Sequence, residues 1–347
     1  MKPKFFIGIL LILAVFCSNL TPQISGAANE NNPIPDYQTV FLDRQFLGEG
    51  INFYQLLQGD LDHDQTPDLI LTGQNHETRE FFIYWLTVNS DWNPIIRWQS
   101  PNLFEEKSIW WVATGRFTAD QEQLLAVSNT QLLLYQREKD SFRLIKQAPC
   151  QMAPLNLASG DLDGNGRFEL AIAQIGQITQ QIYNCKIQIW SYNDTEEKFI
   201  QKSESGLIGN IRGLSAGDLD GDGISEIVVD EGVRFQSGNI HVLKWKDNLI
   251  KEEFCLKKAI KGAVYAMSIG AFPEGNRLVT GSSSGKVNFL AWNNQALILL
   301  KPEISFQNEL ISIAAGDLNL DHIPELVITG YPQILTLMGI KPVNALQ

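Results

Sequence analysis

The stretch GDLDGDGISEIV at 217–228 constrains this chain more than any other, because it returns along the sequence. Related stretches are GDLDHDQTPDLI from Gly59, GDLDGNGRFELA from Gly160 and GDLNLDHIPELV from Gly316. Two degenerate copies lie between them, GRFTADQEQLLA from Gly115 and GAFPEGNRLVT from Gly270. The copies are 56, 45, 57, 53 and 46 residues apart. A period near 50 residues implies one supersecondary unit repeated, each unit burying its apolar faces on its neighbours.

Within the stretch, carboxylates occupy alternate positions. Asp218, Asp220, Asp222 and Glu226 stand at loop positions 1, 3, 5 and 9, and the backbone carbonyl of Ile224 at position 7 can add a further oxygen. Alternate residues of a tight turn can converge on one hard cation, and calcium takes six to eight oxygens. Gly223 at position 6 permits positive φ at no steric cost. The third copy offers Asp161, Asp163, Asn165, Arg167 and Glu169; the first offers Asp60, Asp62, Asp64, Thr66 and Asp68; the last offers Asp317, Asn319, Asp321, Ile323 and Glu325. An EF-hand is excluded: position 12 is Val229 rather than glutamate, and both flanks read as extended. In the second copy Arg116 and Leu124 replace the acids at positions 1 and 9, and in the fifth Ala271, Pro273 and Gly275 replace the first three ligands. Neither should hold an ion.

Each unit reads as four short strands, without a convincing helical period. One strand runs into the loop (IWWVAT, PLNLAS, LISIAA), one leaves it (ELAIAQ, EIVVD, ELVITG), and a third and a fourth follow (KIQIWSY, NIHVLKW; KFIQKS, ALILLKP). Small residues before the loop, such as Ala158-Ser159 and Ala314-Ala315, suit strands converging on a crowded axis. Four-stranded units repeated radially make a β-propeller. The sixth unit lacks its fourth strand and the N-terminal side carries a spare one near Tyr37–Phe46. The expectation is an all-β, six-bladed β-propeller over 37–347, with the N-terminal strand completing the last blade. Aromatic residues on the third strands (Trp85, Tyr135, Trp190, Trp245, Trp292) are expected to pack between blades at equivalent positions.

The chain begins MKPKFFIGILLILAVFC, a basic start followed by 12 uncharged residues, Phe5–Phe16. That run is short for a membrane span and suits a signal peptide over 1–28, with an uncleaved membrane anchor as the alternative. Residues 29–36 read as a linker. The expected location is extracytoplasmic: secreted, periplasmic or envelope-associated. The formal net charge of −12 argues against nucleic acid as a partner. An oxidising compartment would permit a Cys150–Cys185 disulfide if both begin strands of one unit. Cys255 would then remain as a small core residue. The four histidines, His63, His76, His241 and His322, show no metalloprotease spacing, and no nucleophile elbow or phosphate loop occurs.

The motif Gly-Asp-hydrophobic-Asp/Asn-x-Asp-Gly, with an acid and a strand after it, resembles the FG-GAP/VCBS repeats of the integrin alpha-subunit head and of many secreted bacterial proteins. The resemblance implies a propeller with Ca²⁺ in the loops joining the first two strands of a blade, here up to four sites; the motif itself leads to the expectation of a preference for 218–226. Gln65 and His322 stand where the turn glycine is expected in the first and sixth copies. Members of that family often mediate adhesion or present a ligand surface, and some are attached to enzymatic domains. With no stretch of this chain left over for a catalytic domain, the leading expectation is a non-enzymatic module that binds a protein or glycan or serves as a scaffold. Two other readings stay open: a propeller enzyme acting on polysaccharide, and an assembly factor for a membrane complex.

Overall fold

The computed structural model describes residues 37–43, 51–61, 67–88, 94–104, 110–118, 122–150, 152–179, 182–233, 236–272, 274–293, 295–300, 303–318, 324–331 and 334–342. The leader and linker expected over 1–36 lie outside these. Among the described residues every regular element is a strand, and no helix is long and apolar enough to cross a membrane.

The strands form six antiparallel sheets. The first unit holds Ile51–Gly59, Asp68–Asn75, Phe81–Val88 and Pro94–Gln99. The second holds Trp111–Gly115, Gln123–Val127, Gln131–Glu138 and Ser141–Pro149. The third holds Asn156–Gly160, Glu169–Thr179, Ile182–Asn193 and Lys198–Glu204, and the fourth Ile211–Gly217, Glu226–Val233, Gln236–Lys246 and Leu249–Lys257. In each, chain order is spatial order. The last sheet joins Glu309–Gly316, Glu325–Tyr331 and Ile334–Pro342 to Tyr37–Asp43, with Tyr37 opposite Pro342 and Asp43 opposite Thr336.

The expectation of uniform four-stranded blades is corrected in the remaining unit. Five sheets have four strands, whereas the sheet of Val264–Gly270, Arg277–Ser282 and Lys286–Asn293 has five. Its outer edge is split: Ala296–Leu299 pairs with Leu290–Asn293, and Ile304–Ser305 pairs with Lys286–Val287. Pro302 falls in sequence between the pieces, and a residue without an N–H cannot sustain a ladder. The expected strand ALILLKP is thus shortened to Ala296–Leu299, and Ile304–Ser305 is a separate short strand beyond it.

The core lies between sheets rather than inside one. Both faces of each blade are apolar, so the buried residues fall into six clusters, each shared by two neighbours. Leu61, Ile70 and Trp85 of the first unit meet Val112, Leu124 and Tyr135 of the second. Leu56, Leu71 and Leu86 on the opposite face of the first unit meet Ala314, Leu318 and Val327 of the last. Apolar burial of this kind contributes about 25 cal/mol per Å² and is the main force holding the blades in register.

Side chains stitch the inner strands where no backbone ladder runs. Gln55 donates from Nε2 to the carbonyl of Val112 (2.9 Å), and its Oε1 accepts from the Val112 N–H (2.7 Å). Ser312 Oγ accepts from the Leu56 N–H at 2.9 Å. Asp230, almost fully buried, accepts from the Val264 N–H at 2.9 Å.

Two further expectations change. Among the described residues, Cys150, Cys185 and Cys255 form no disulfide. Cys185 does not begin a strand but lies inside Ile182–Asn193, and it faces the fourth unit, whereas Cys150 packs in the cluster between the second and third. The disulfide fails because the two thiols serve different inter-blade cores. The third-strand aromatics do pack between blades, and Trp85, Tyr135, Trp190 and Trp245 are buried. They are not at equivalent positions. One residue beyond the loop's last ligand, the rung carries Leu86, Tyr135, Trp190, Leu243 and Leu290 in units one to five, so Trp85 precedes it and Trp245 and Trp292 follow two residues later. Trp85 consequently packs toward the following blade, edge-on to Phe142.

Candidate metal centre

The last carboxylate of each acidic loop begins the second strand directly across from the loop's leading glycine. The pairs are Gly59 and Asp68, Gly160 and Glu169, Gly217 and Glu226, Gly316 and Glu325. All four acids are nearly inaccessible to solvent. Each accepts the N–H of the loop's second residue: Leu61 to Asp68 at 2.9 Å, Leu162 to Glu169 at 3.0 Å, Leu219 to Glu226 at 2.8 Å and Leu318 to Glu325 at 2.5 Å. One local geometry thus recurs in four units. Asp60 and Asp317 lie among the described residues; Asp62, Asp64, Thr66, Asn319, Asp321 and Ile323 fall outside them.

The third and fourth loops are described in full. Oxygens of Asp161, Asp163 and Glu169 lie within 4.8 Å of one another, as do those of Asp218, Asp220 and Glu226, so each set could hold a metal ion. The backbone turns through left-handed glycines, Gly164 and Gly166 at φ 74° and 84°, Gly221 and Gly223 at 82° and 89°. That turn lets Asp161 accept from the Asn165 and Gly166 N–H groups, and Asp218 from those of Gly221 and Gly223. The Asn165 and Asp222 side chains accept from Arg167 and Ile224 N–H instead, which holds the seventh residue's backbone in the turn. Burial and the neighbouring Asp163 and Asp161 charges push the Glu169 carboxyl up to about 8, against the opposing Leu162 N–H. A buried carboxylate beside two others is a group that a hard cation would relieve.

In the fourth loop a cation is already present. Lys244 Nζ lies 2.9 Å from each of Asp220 Oδ2, Asp222 Oδ2 and Glu226 Oε1. Burial opposes the ammonium, but its hydrogen bonds to Asp220, Glu226 and Asp222 outweigh that and hold it above the usual lysine range. For Glu226 the balance is reversed: burial keeps its carboxyl raised despite the pair. Lys244 sits on the third strand, on the rung of the loop's last acid. The same place holds Thr87, Gln136, Ser191, Ala291 and Gly339 in the other units. The sequence gives no local sign of this residue, because its partner is set by strand register 18 positions away.

The two degenerate loops lack the acid for a reason the repeat spacing hides. They are shorter, so Gln123 rather than Leu124 stands across from Gly115, and Arg277 stands across from Gly270. Gln123 Oε1 accepts the Thr118 N–H at 3.0 Å, and Arg277 binds the Asn276 and Glu274 carbonyls. Arg116 lies 3.7 Å from Glu122.

Successive loops are chained. In the second, third and fourth loops the carbonyl of the first residue accepts from the next unit: Arg116 from the Phe168 N–H (3.1 Å), Asp161 from the Ser225 N–H (2.8 Å), Asp218 from Asn276 Nδ2 (2.5 Å). All inner strands run toward this loop end, around an axial cavity of about 1600 Å³. Tyr54, Trp111, Asn156, Arg212 and Tyr265, each from a different inner strand, line it together with Glu309.

Residues 161–229 match an FG-GAP-like repeat. That segment runs from the first ligand of the third loop to the strand after the fourth, so it spans both complete carboxylate sets. Comparison with curated proteins gives no significant match. The fold is thus a β-propeller with an FG-GAP-like segment and a capacity to bind metal, consistent with a binding or scaffold module.

Proposed function

We propose that this chain is a calcium-stabilised propeller that acts outside the cytoplasm as a binding module for a protein or glycan. The observation that carries the reading is the pair of chained oxygen-only sets in the third and fourth loops. Their donors suit calcium, which prefers carboxylate and carbonyl oxygens, and bound calcium would neutralise the clustered charge. In the third loop Asp161, Asp163, Asn165, the Arg167 carbonyl and Glu169 would hold the ion unopposed. In the fourth, the ion must displace Lys244, which reverses the expected preference for 218–226. Asp60 with Asp68 and Asp317 with Glu325 supply the corresponding acids for two further sites.

The ion supplies charge neutralisation and fixes the loops; the recognition surface is made by the chain. The axial cavity supports that role, since aromatic Tyr54, Trp111 and Tyr265 line it together with polar Asn156, Arg212 and Glu309. Aromatic faces beside hydrogen-bonding groups suit a sugar or a peptide edge. The test is capture of ligands by the immobilised protein from its own envelope fraction and on a glycan array, with calcium and then with a chelator. Retention of one ligand class that Trp111→Ala and Tyr265→Ala abolish supports the reading. No retention under either condition, together with no calcium-binding heat, sinks it.

A further inference from the structure

The fourth blade carries a second cluster of ligating side chains, on the outer half of its sheet and with different chemistry. His241 lies opposite Cys255 on the outer strand. An irregularity between Val242 and Leu243 then sets Leu243 opposite Glu252, so the ladder skips Glu253. Such a bulge turns Glu252 onto the face that already carries His241 and Cys255. One ligand atom from each of His241, Glu252 and Cys255 lies within 4.8 Å of the other two. His241 Nδ1 is 2.5 Å from Glu252 Oε2.

The other ring nitrogen is held separately. His241 Nε2 is 2.9 Å from Glu231 Oε2, and Asn239 Nδ2 donates to the same oxygen at 3.0 Å. A carboxylate gripping one imidazole nitrogen, itself oriented by an amide, is the arrangement that fixes a metal-binding histidine and aims its free nitrogen. The third blade shows what these rungs look like without that chemistry. Gln188, Glu204 and Gln201 occupy the places of His241, Cys255 and Glu252, and Lys186 neutralises Glu204. In the fourth blade the place of Lys186 is taken by Asn239, and Lys257 follows Cys255 by two residues on the exposed outer strand.

We propose that His241 Nδ1, Cys255 Sγ and a Glu252 carboxylate oxygen form a site for a divalent transition ion of the zinc class, distinct from the oxygen-only loops. Sulfur and nitrogen donors are poor partners for calcium and good ones for zinc, which takes Cys, His and carboxylate together. Binding takes the Nδ1 lone pair and releases the Cys255 thiol proton to solvent, while an Nε2–H donates to Glu231. Three protein ligands leave a fourth position for water.

Cobalt(II) is the probe, added to the reduced full chain in saturating calcium so that the acidic loops do not compete. One equivalent should produce a thiolate-to-cobalt charge-transfer band, and zinc should erase it. Cys255→Ser should abolish the band, His241→Gln should weaken cobalt affinity at least tenfold, and Glu231→Gln should weaken it about 10–100-fold. Cys150→Ser should leave it unchanged. Circular dichroism of every variant separates lost ligation from lost folding, and Glu252→Gln gives a second ligand variant on an exposed side chain. A native protein without the band, or a band that survives Cys255→Ser, overturns the proposal.

Discussion

The Ser225 N–H donates to the carbonyl of Asp161 across 2.8 Å, tying the fourth loop to the first ligand of the third. Anything that fixes Asp161 therefore also fixes the loop of the next blade. Calcium should raise the melting temperature cooperatively rather than tighten each loop alone. At a hundredfold excess over Kd, one site is worth about 2.7 kcal/mol. Scanning calorimetry with calcium and with EDTA measures this, and Asp163→Ala should remove a large share of the gain. Equal melting in the two conditions would refute it.

Lys244 competes with metal for Asp220, Asp222 and Glu226. Lys244→Met should destabilise the calcium-free protein, since it leaves three carboxylates clustered with no cation. The same change should strengthen calcium binding at the fourth loop at least tenfold, read by titration calorimetry on a background of Asp163→Ala. Unchanged affinity would mean that the ammonium does not guard the site.

Asp230 links stability to pH. Burial pushes its carboxyl up from 3.8 to about 7, against the Val264 N–H, with Glu231 adding to the rise and His241 opposing it. A raised native value means that the folded chain binds the extra proton. The contribution is complete below about pH 4 and is lost as pH climbs through 7, at up to about 1.4 kcal/mol per pH unit. Asp230→Asn should flatten this part of the denaturation profile, measured with urea between pH 4 and 7.5. A slope identical to that of the native protein would count against the assignment.

Gly270 tests the crowding at the axis. A Cβ there would collide with the backbone carbonyl of Ala315 in the next blade, and backbone cannot step aside as a flexible side chain can. Gly270→Ala should cost about 3 kcal/mol or more. Gly166→Ala meets no atom within 4 Å, so its smaller penalty comes from φ alone. Urea midpoints of the two variants give the comparison.

The repeat, the strand content and the acidic loops were legible because each depends on residues close together in sequence. Asp218 and Glu226 announce their turn within nine residues. What register decides was not legible. Lys244 reaches Glu226 only through the pairing of Ile227 with Leu243. Gln123 replaces Leu124 because the second loop is one residue shorter than the third, which a motif scan absorbs as a mismatch. Cys150 and Cys185 looked like partners until the inter-blade clusters separated them, and His241 looked idle until a bulge brought Glu252 beside it.

The pairing of Tyr37–Asp43 with Thr336–Pro342 sets the order of events during synthesis. The earliest of these strands to leave the ribosome is the one that must wait for nearly all the others before it has a neighbour. The apolar face around Leu56 and Leu71 waits almost as long, since Ala314, Leu318 and Val327 cover it, and the face of every blade still lacking a successor is bare meanwhile. Such contacts, distant in sequence, form slowly and leave sticky surface on show. A nascent chain truncated before Glu309 should therefore recruit holding chaperones far more strongly than the finished one.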